Sequence, residues 1–264
     1  MDRVRGMHLM CGMVVMAVAG RFALGEFIGV NWSGDVFSLD ATGSGFLVGP
    51  SAFTNLNSLA QDSTGKLVTI NDAISGTPRI IEIDPMTGAG TIFHIPFLND
   101  VRALAFSPGD DDILYAADGS GGVRDLYALD LSVPFGDSSI KTLIGRLNFG
   151  DIQGMVFGSD GVLYGWGTSQ GLVTIDPKTA LAVDINDEFD GSSAIQTLAF
   201  TPDGTLYGVG DELFTIDLMT GERNLVGSDG FTDVRGFAWI PQPSVMALFF
   251  VAALGQGGRR RRRR

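Results

Sequence analysis

The sequence predicts an all-β fold, a five-bladed β-propeller closed by pairing its N- and C-terminal strands in one blade. Three observations carry this expectation. A strand pattern recurs as Ser58-Leu59-Ala60-Gln61, Ala103-Leu104-Ala105-Phe106, Gly154-Met155-Val156-Phe157, Thr197-Leu198-Ala199-Phe200 and Gly236-Phe237-Ala238-Trp239, at intervals of 45, 51, 43 and 39 residues. That is the size of one four-stranded blade. The 37 glycines, with few lysines and glutamates, suit short strands and tight turns better than a helical bundle. Finally, the stretch Phe27 to Gly49 holds only the later part of the repeat, and the missing first strand stands at the other end as Gly236-Phe237-Ala238-Trp239. Ring closure leaves such an offset.

Each unit is predicted in the same internal order. The first strand ends in a polar turn such as Thr201-Pro202-Asp203-Gly204, and a second strand follows, as in Thr205-Leu206-Tyr207-Gly208, Ile113-Leu114-Tyr115 and Val162-Leu163-Tyr164. A third strand ends at an aspartate, in Ile81-Glu82-Ile83-Asp84, Tyr127-Ala128-Leu129-Asp130, Val173-Thr174-Ile175-Asp176 and Phe214-Thr215-Ile216-Asp217; Val36-Phe37-Ser38-Leu39-Asp40 is its N-terminal counterpart. A turn such as Asp84-Pro85-Met86-Thr87-Gly88 then leads into the fourth strand. The inner strands are expected near residues 56–61, 101–106, 152–157, 195–200 and 234–239. The phrases Asp-Pro-x-Thr-Gly and Pro202-Asp203-Gly204-Thr205-Leu206-Tyr207 make residues 27–240 similar to the secreted β-propeller repeats of the quinoprotein-like and WD40-like superfamilies. That resemblance implies a fold and no activity.

Both ends read as addresses. Arg3 and Arg5, the apolar run Leu9 to Ala19 and the small residues after it have the order of a secretory signal peptide, with cleavage expected before Glu26 or, alternatively, before Gly20. Cys11, the only cysteine, lies in this segment without a small residue before it, so a lipid-anchored cysteine is the lesser reading. Residues 1–25 are thus assigned to the signal peptide and 26–240 to the propeller. The C-terminus, 241–264, has Pro241-Gln242-Pro243-Ser244, ten apolar residues Val245 to Leu254, a glycine-rich step and six arginines, Arg259 to Arg264. This order resembles the PEP-CTERM sorting signal of Gram-negative bacteria, with Gln242 where the family has glutamate. The resemblance implies an exosortase-like enzyme as a processing partner beside signal peptidase, and a cell-surface or extracellular-matrix destination. At helical rise the apolar run spans about 15 Å against a hydrocarbon core of roughly 30 Å, which suits transient inner-membrane contact during export better than a permanent anchor. The arginine run also admits reading as a nucleic-acid arm or an artefact, which leaves Pro241–Ser244 and the apolar run unexplained.

Charge narrows the partners. With Arg3, Arg5, Arg21 and Arg259–Arg264 set aside, residues 26–258 carry 9 basic and 29 acidic groups, a net charge of −20. A body this acidic repels phosphate backbones, so no nucleic-acid partner is expected. No cofactor is called for either. With His8 and His94 the only histidines, metal ligation by histidine and a Ser-His-Asp triad have little to draw on.

Two rings of polar residues remain. Asp40, Asp84, Asp130, Asp176 and Asp217 recur once per blade, where aspartate caps backbone N–H groups two residues on; a structural role is expected. The functional candidates lie at the inner-strand starts, where Asn57, Arg102, Gln153, Gln196 and Arg235, with Asn55, Asp100, Asp151 and Asp233 two residues earlier, would ring one mouth of the central channel. Converging polar groups form a default ligand site, although such groups also fill channels with hydrogen bonds and water. Asp100, Asp151 and Asp233 could supply a carboxylate pair for glycoside cleavage, with no glutamate recurring nearby as acid. Asp110-Asp111-Asp112 lacks the calcium-loop pattern. Trp32, Trp166 and Trp239 fit sugar stacking or blade packing equally. Two function classes follow: a noncatalytic binding or structural module for polysaccharide or protein at the cell surface, and, alternatively, a secreted carbohydrate-active or lactone-type hydrolase.

Overall fold

A computed structural model describes residues 26–71, 77–119, 124–186 and 194–240. The expected signal peptide and sorting tail lie outside the described residues.

Among the described residues, twenty strands form five antiparallel sheets of four. The chain enters with β1 (Glu26–Asn31), β2 (Asp35–Leu39) and β3 (Gly45–Pro50). Blade two is β4 (Leu56–Gln61), β5 (Leu67–Asn71), β6 (Arg79–Ile83) and β7 (Gly90–His94). Blade three is β8 (Val101–Ser107), β9 (Asp110–Asp118), β10 (Asp125–Asp130) and β11 (Lys141–Arg146). Blade four is β12 (Ile152–Phe157), β13 (Leu163–Gly167), β14 (Gly171–Ile175) and β15 (Ala182–Asp184). Blade five is β16 (Ile195–Phe200), β17 (Leu206–Gly210), β18 (Leu213–Ile216) and β19 (Arg223–Gly227). The last strand, β20 (Val234–Ile240), joins the first three in the order β20-β1-β2-β3 and completes blade one. Phe27 lies opposite Trp239 and Ile28 opposite Ala238 in this closure. The five-bladed ring and its closure are therefore as expected, with the inner strands β4, β8, β12, β16 and β20 falling on the five repeats.

The core is distributed among the blade boundaries. Because each sheet stands radially, its two faces pack on the two neighbouring blades, and the five apolar clusters are the five boundaries. Ile28, Val30 and Ala238 of blade one meet Leu56, Leu59 and Ile81 of blade two. Val68 and Ile80 meet Val101, Leu104 and Leu129, and Ala105 and Leu126 meet Ile152, Met155 and Val173. Trp166 and Leu172 meet Ile195, Leu198 and Phe214; Val209 and Ala199 meet Phe27, Leu39 and Phe237. Apolar burial of about 25 cal/mol per Å² drives each junction. The recurrent second-strand tyrosine belongs to this packing: Tyr115 tilts onto Phe157 at 5.6 Å between ring centres, and Tyr164 meets Phe200 edge-on at 5.5 Å.

The per-blade aspartates serve the turns. Asp84 accepts the Met86 N–H at 2.8 Å and the Thr87 hydroxyl at 2.8 Å. Asp176 accepts from Lys178 N and Thr179 Oγ1, Asp217 from Met219 N and Thr220 N, Asp130 from Ser132 N and Oγ, and Asp40 from Thr42 and Ser44. These bonds favour the charged form. They hold Asp84, Asp130, Asp176 and Asp217 below the ordinary aspartate value of 3.8, and at Asp40 they outweigh the opposing effect of burial. A carboxylate depressed in the folded state contributes stability that is present above its unfolded pKa and lost as pH falls through the folded one. Melting temperature is therefore expected to fall as pH drops below 3.8, and the fall should be shallower in Asp84→Asn, which keeps the acceptor oxygen. An unchanged melting temperature down to pH 2.5 contradicts this.

Candidate functional site

The polar residues at the inner-strand starts are placed by a β-bulge repeated in every blade. The pairing register skips Arg102 between Val101 and Ala103, Gln153 between Ile152 and Gly154, Gln196 between Ile195 and Thr197, and Arg235 between Val234 and Gly236. A bulged residue leaves the ladder and its side chain is re-aimed. In blade two the skipped residue is Ser58 instead, so Asn57 stays in register opposite Ile70.

That one-residue shift decides the fate of Asn57. It is buried, at 1% exposure, and its amide donates to the Val101 carbonyl of blade three at 3.0 Å. Beside it the Ser58 hydroxyl accepts the Leu104 N–H at 2.8 Å. Asn57 therefore departs from the expected mouth position and braces two blades. Gln153 is also buried.

Arg102 and Arg235 stand half-buried at the mouth, each ion-paired with the aspartate two residues earlier. Arg102 Nε lies 2.6 Å from Asp100 Oδ1, and Arg235 Nε donates to Asp233 Oδ1 at 2.7 Å. Asn55, Asp100 and Asp233 have φ of 57°, 51° and 50°. Asparagine and aspartate tolerate this left-handed region better than other non-glycine residues, so part of their recurrence answers a backbone demand. Asp151 meets a different arginine, Arg124, at 3.4 Å between Nε and Oδ1.

A polar recess of about 310 Å³ opens between blades five and one, lined by Ala194, Gln196, Gly210, Asp211, Asp233 and Arg235. The structure thus gathers Gln196, Asp233 and Arg235, while Asp100 with Arg102, and Asp151, stand in other blades. Asp211 is an addition to the expected set: it accepts the Asp233 N–H at 2.8 Å and the Thr232 hydroxyl at 3.1 Å. Its signal in the sequence is a polar residue closing the second strand of each blade, as at Asn31, Asn71, Asp118, Thr168 and Asp211. The Arg235 guanidinium also lies 5.4 Å from the Trp32 ring centre.

The remaining chemical candidates are absorbed by the fold. His94 is buried; its Nδ1 accepts the Ile95 N–H at 3.1 Å, so Nε2 carries the proton and donates to the Val133 carbonyl at 3.0 Å. Trp166 is fully buried between blades. Asp111 accepts from Ser63 N and Oγ of blade two. Among the described residues, no three His, Cys, Asp or Glu are grouped to hold a metal ion.

The opposite mouth, where the inner strands end, is ringed mainly by aromatic side chains. Gln61, Phe106, Phe157, Phe200 and Trp239 stand at equivalent positions around a recess of about 200 Å³, with Ala60, Ala105, Val156, Ala199 and Ala238 beneath them. The channel thus has two chemically different ends.

No protein-family model and no curated protein matches this chain. Solved structures do. A chain described under the de novo evolutionary emergence of a symmetrical protein aligns with 20% identity and TM-score 0.56, over 83% of this chain and all of its own length. A chain of the nidogen/laminin complex aligns with 10% identity and TM-score 0.53, over 81% and 98%. A Bacteroides thetaiotaomicron protein of unknown function aligns with 15% identity and TM-score 0.51, over 80% and 60%. At these identities the likeness is one of fold.

Proposed function

We propose that this chain is an exported, noncatalytic binding or structural module of the cell surface or extracellular matrix, which meets polysaccharide or protein through its polar mouth. Signal peptidase and an exosortase-like enzyme would process its ends. The observation that carries the reading is the pair of bulge-presented arginines, Arg102 and Arg235, each ion-paired with its own aspartate, Arg235 through an Nε hydrogen bond to Asp233 as well. A guanidinium fixed in this way suits carboxylates and sugar hydroxyls, and the recess beside Arg235 gives a ligand group room. The carboxylates are engaged as well: Asp100, Asp233 and Asp151 each face an arginine, an arrangement that orients arginine more directly than it presents an acid and base to a glycosidic bond.

A glycan-array screen with parallel hydrolysis assays tests the reading. Binding without turnover is expected, and Arg102→Ala with Arg235→Ala should weaken it at least roughly tenfold, the scale of one lost charge-assisted hydrogen bond. Because both pairs are partly exposed, the melting temperature should change little. A large loss of stability with binding intact would make the pairs blade braces. Turnover abolished by Asp100→Ala or Asp151→Ala would establish the hydrolase instead.

A further inference from the structure

The strand directions fix which mouth the chain's ends leave from. All five inner strands run from the Arg/Asp mouth to the aromatic mouth, so β20 ends at the aromatic one, with Trp239 on the recess and Ile240 next to it. β1 runs antiparallel to β20, and Glu26 pairs with Ile240. The chain therefore enters and leaves the ring through hydrogen-bonded neighbours at the same end. Beyond them lie the apolar runs Leu9–Ala19 and Val245–Leu254.

We propose that the aromatic mouth is the face turned to the lipid bilayer while the C-terminal run is membrane-held, and that the Arg/Asp mouth is thereby turned outward. The proposal rests on the reading of residues 241–264 as a sorting tail.

Leash length carries the geometry. Between Ile240 and Val245 lie four residues, Pro241-Gln242-Pro243-Ser244. From Ile240 to Val245 the chain takes five residue steps, at most about 18 Å when fully extended. Inner strands of six or seven residues span about 17–20 Å at 3.3 Å per residue step, and the turns beyond their ends at both mouths make the ring deeper than the leash is long. A leash fastened at one mouth and shorter than the ring's depth cannot let the other mouth reach the surface. The N-terminal run leaves from the same end, so an unprocessed chain is held the same way round.

The chemistry of the two faces agrees with this orientation. Phe157, Phe200 and Trp239 stand half-buried on the membrane-facing rim, beside buried Phe106 and half-buried Gln61, and aromatic side chains are favoured at a lipid–water boundary. The turns around that rim carry Asp62, Asp110, Asp160 and Asp203, so the face is not itself drawn to anionic lipid. Attraction comes from the apolar run and from the basic residues Arg259–Arg264, which are drawn to an anionic surface. The face is thus held near the bilayer by its tether.

Two single-cysteine labels read the orientation in the full chain carrying Cys11→Ser. Ser159→Cys places a fluorophore in the exposed β12–β13 turn at the aromatic end, and Ser169→Cys places one in the exposed β13–β14 turn at the other end. On vesicles of phosphatidylcholine and phosphatidylglycerol bearing a headgroup-attached quencher, the label at 159 should be quenched several-fold more strongly than the label at 169. Equal quenching, or stronger quenching at 169, overturns the orientation and leaves the tail reading standing. Absence of vesicle binding overturns the tail reading and the orientation with it. Phe249→Asp with Phe250→Asp, made together with Val14→Asp and Val15→Asp so that neither apolar run can hold the bilayer, should release the protein; retained binding would mean that the ring itself adheres and would overturn the tether argument.

Discussion

Gly236→Ala is expected to destabilise the protein by about 3 kcal/mol, the upper end of what overpacking a core costs, although it adds a single methyl group. Gly236 lies in β20 directly against β4 of the next blade. A Cβ at this position would stand 2.3 Å from the Ser58 carbonyl carbon and 2.6 Å from the Leu59 nitrogen. Both are backbone atoms of an inner strand, which cannot swing aside as a side-chain terminus can. Relief requires β20 to move away from β4, and β20 is also the strand that closes blade one on β1. The substitution therefore loads the blade boundary and the ring closure together. For a domain of this size, 3 kcal/mol lowers the melting temperature by roughly 6–12 °C. Gly204→Ala supplies the comparison: Gly204 has φ of 88° but nothing within 4 Å of its Cβ position, so only the left-handed backbone cost of about 1–2 kcal/mol applies. Equal losses in the two variants would show that the close approach of β20 and β4 does not hold the ring.

The residues at this boundary also show what the sequence makes legible. The five repeats and their circular offset give the blade number, the inner strands and the closure, because strand periodicity and turn chemistry are local properties that a sequence displays directly. Gly154 and Gly236 are visible as the small residues opening a repeat. The reason for their size is a neighbouring backbone distant in sequence, Thr197 for the first and Ser58 for the second, and no local pattern reports it.

The candidate site was legible in the same partial way. Arg102 and Arg235 stand out as polar positions before a repeated core, and the structure pairs each with the predicted aspartate. The bulge that aims them is invisible in a strand of ordinary length, and its one-residue displacement in blade two turns Asn57 from a mouth residue into a brace. Asp211 and Arg124 escaped because they reach the mouth from other strands, Asp211 following β17 and Arg124 preceding β10. The aromatic mouth was missed because Phe106, Phe157, Phe200 and Trp239 read locally as core and become a rim only when five strand ends converge.

Trp166→Ala is expected to carry the largest cost of any single truncation, about 3–5 kcal/mol. The indole is fully buried in β13, at the boundary of blades four and five, against Ile195, Leu198, Leu206 and Phe214. Its loss removes the transfer energy of the largest side chain in the core and leaves a void between two sheets, whose separation is also set by the close approach of Gly154 to Thr197. The boundary cannot collapse freely, so little of the void closes. The Arg223 guanidinium lies 5.9 Å from the indole and 5.4 Å from the Phe214 ring, and truncation removes one of these two faces as well. Urea denaturation should show a lower midpoint with an unchanged slope, the mark of lost stability without a changed unfolded state. Trp166→Phe, which keeps a ring in the boundary, should recover much of the loss. Carbohydrate binding measured well below the melting temperature of the variant should be unaffected, since a side chain with no exposed face offers no stacking platform. Weakened glycan binding at intact stability would return Trp166 to the list of ligand contacts and overturn its assignment to the core.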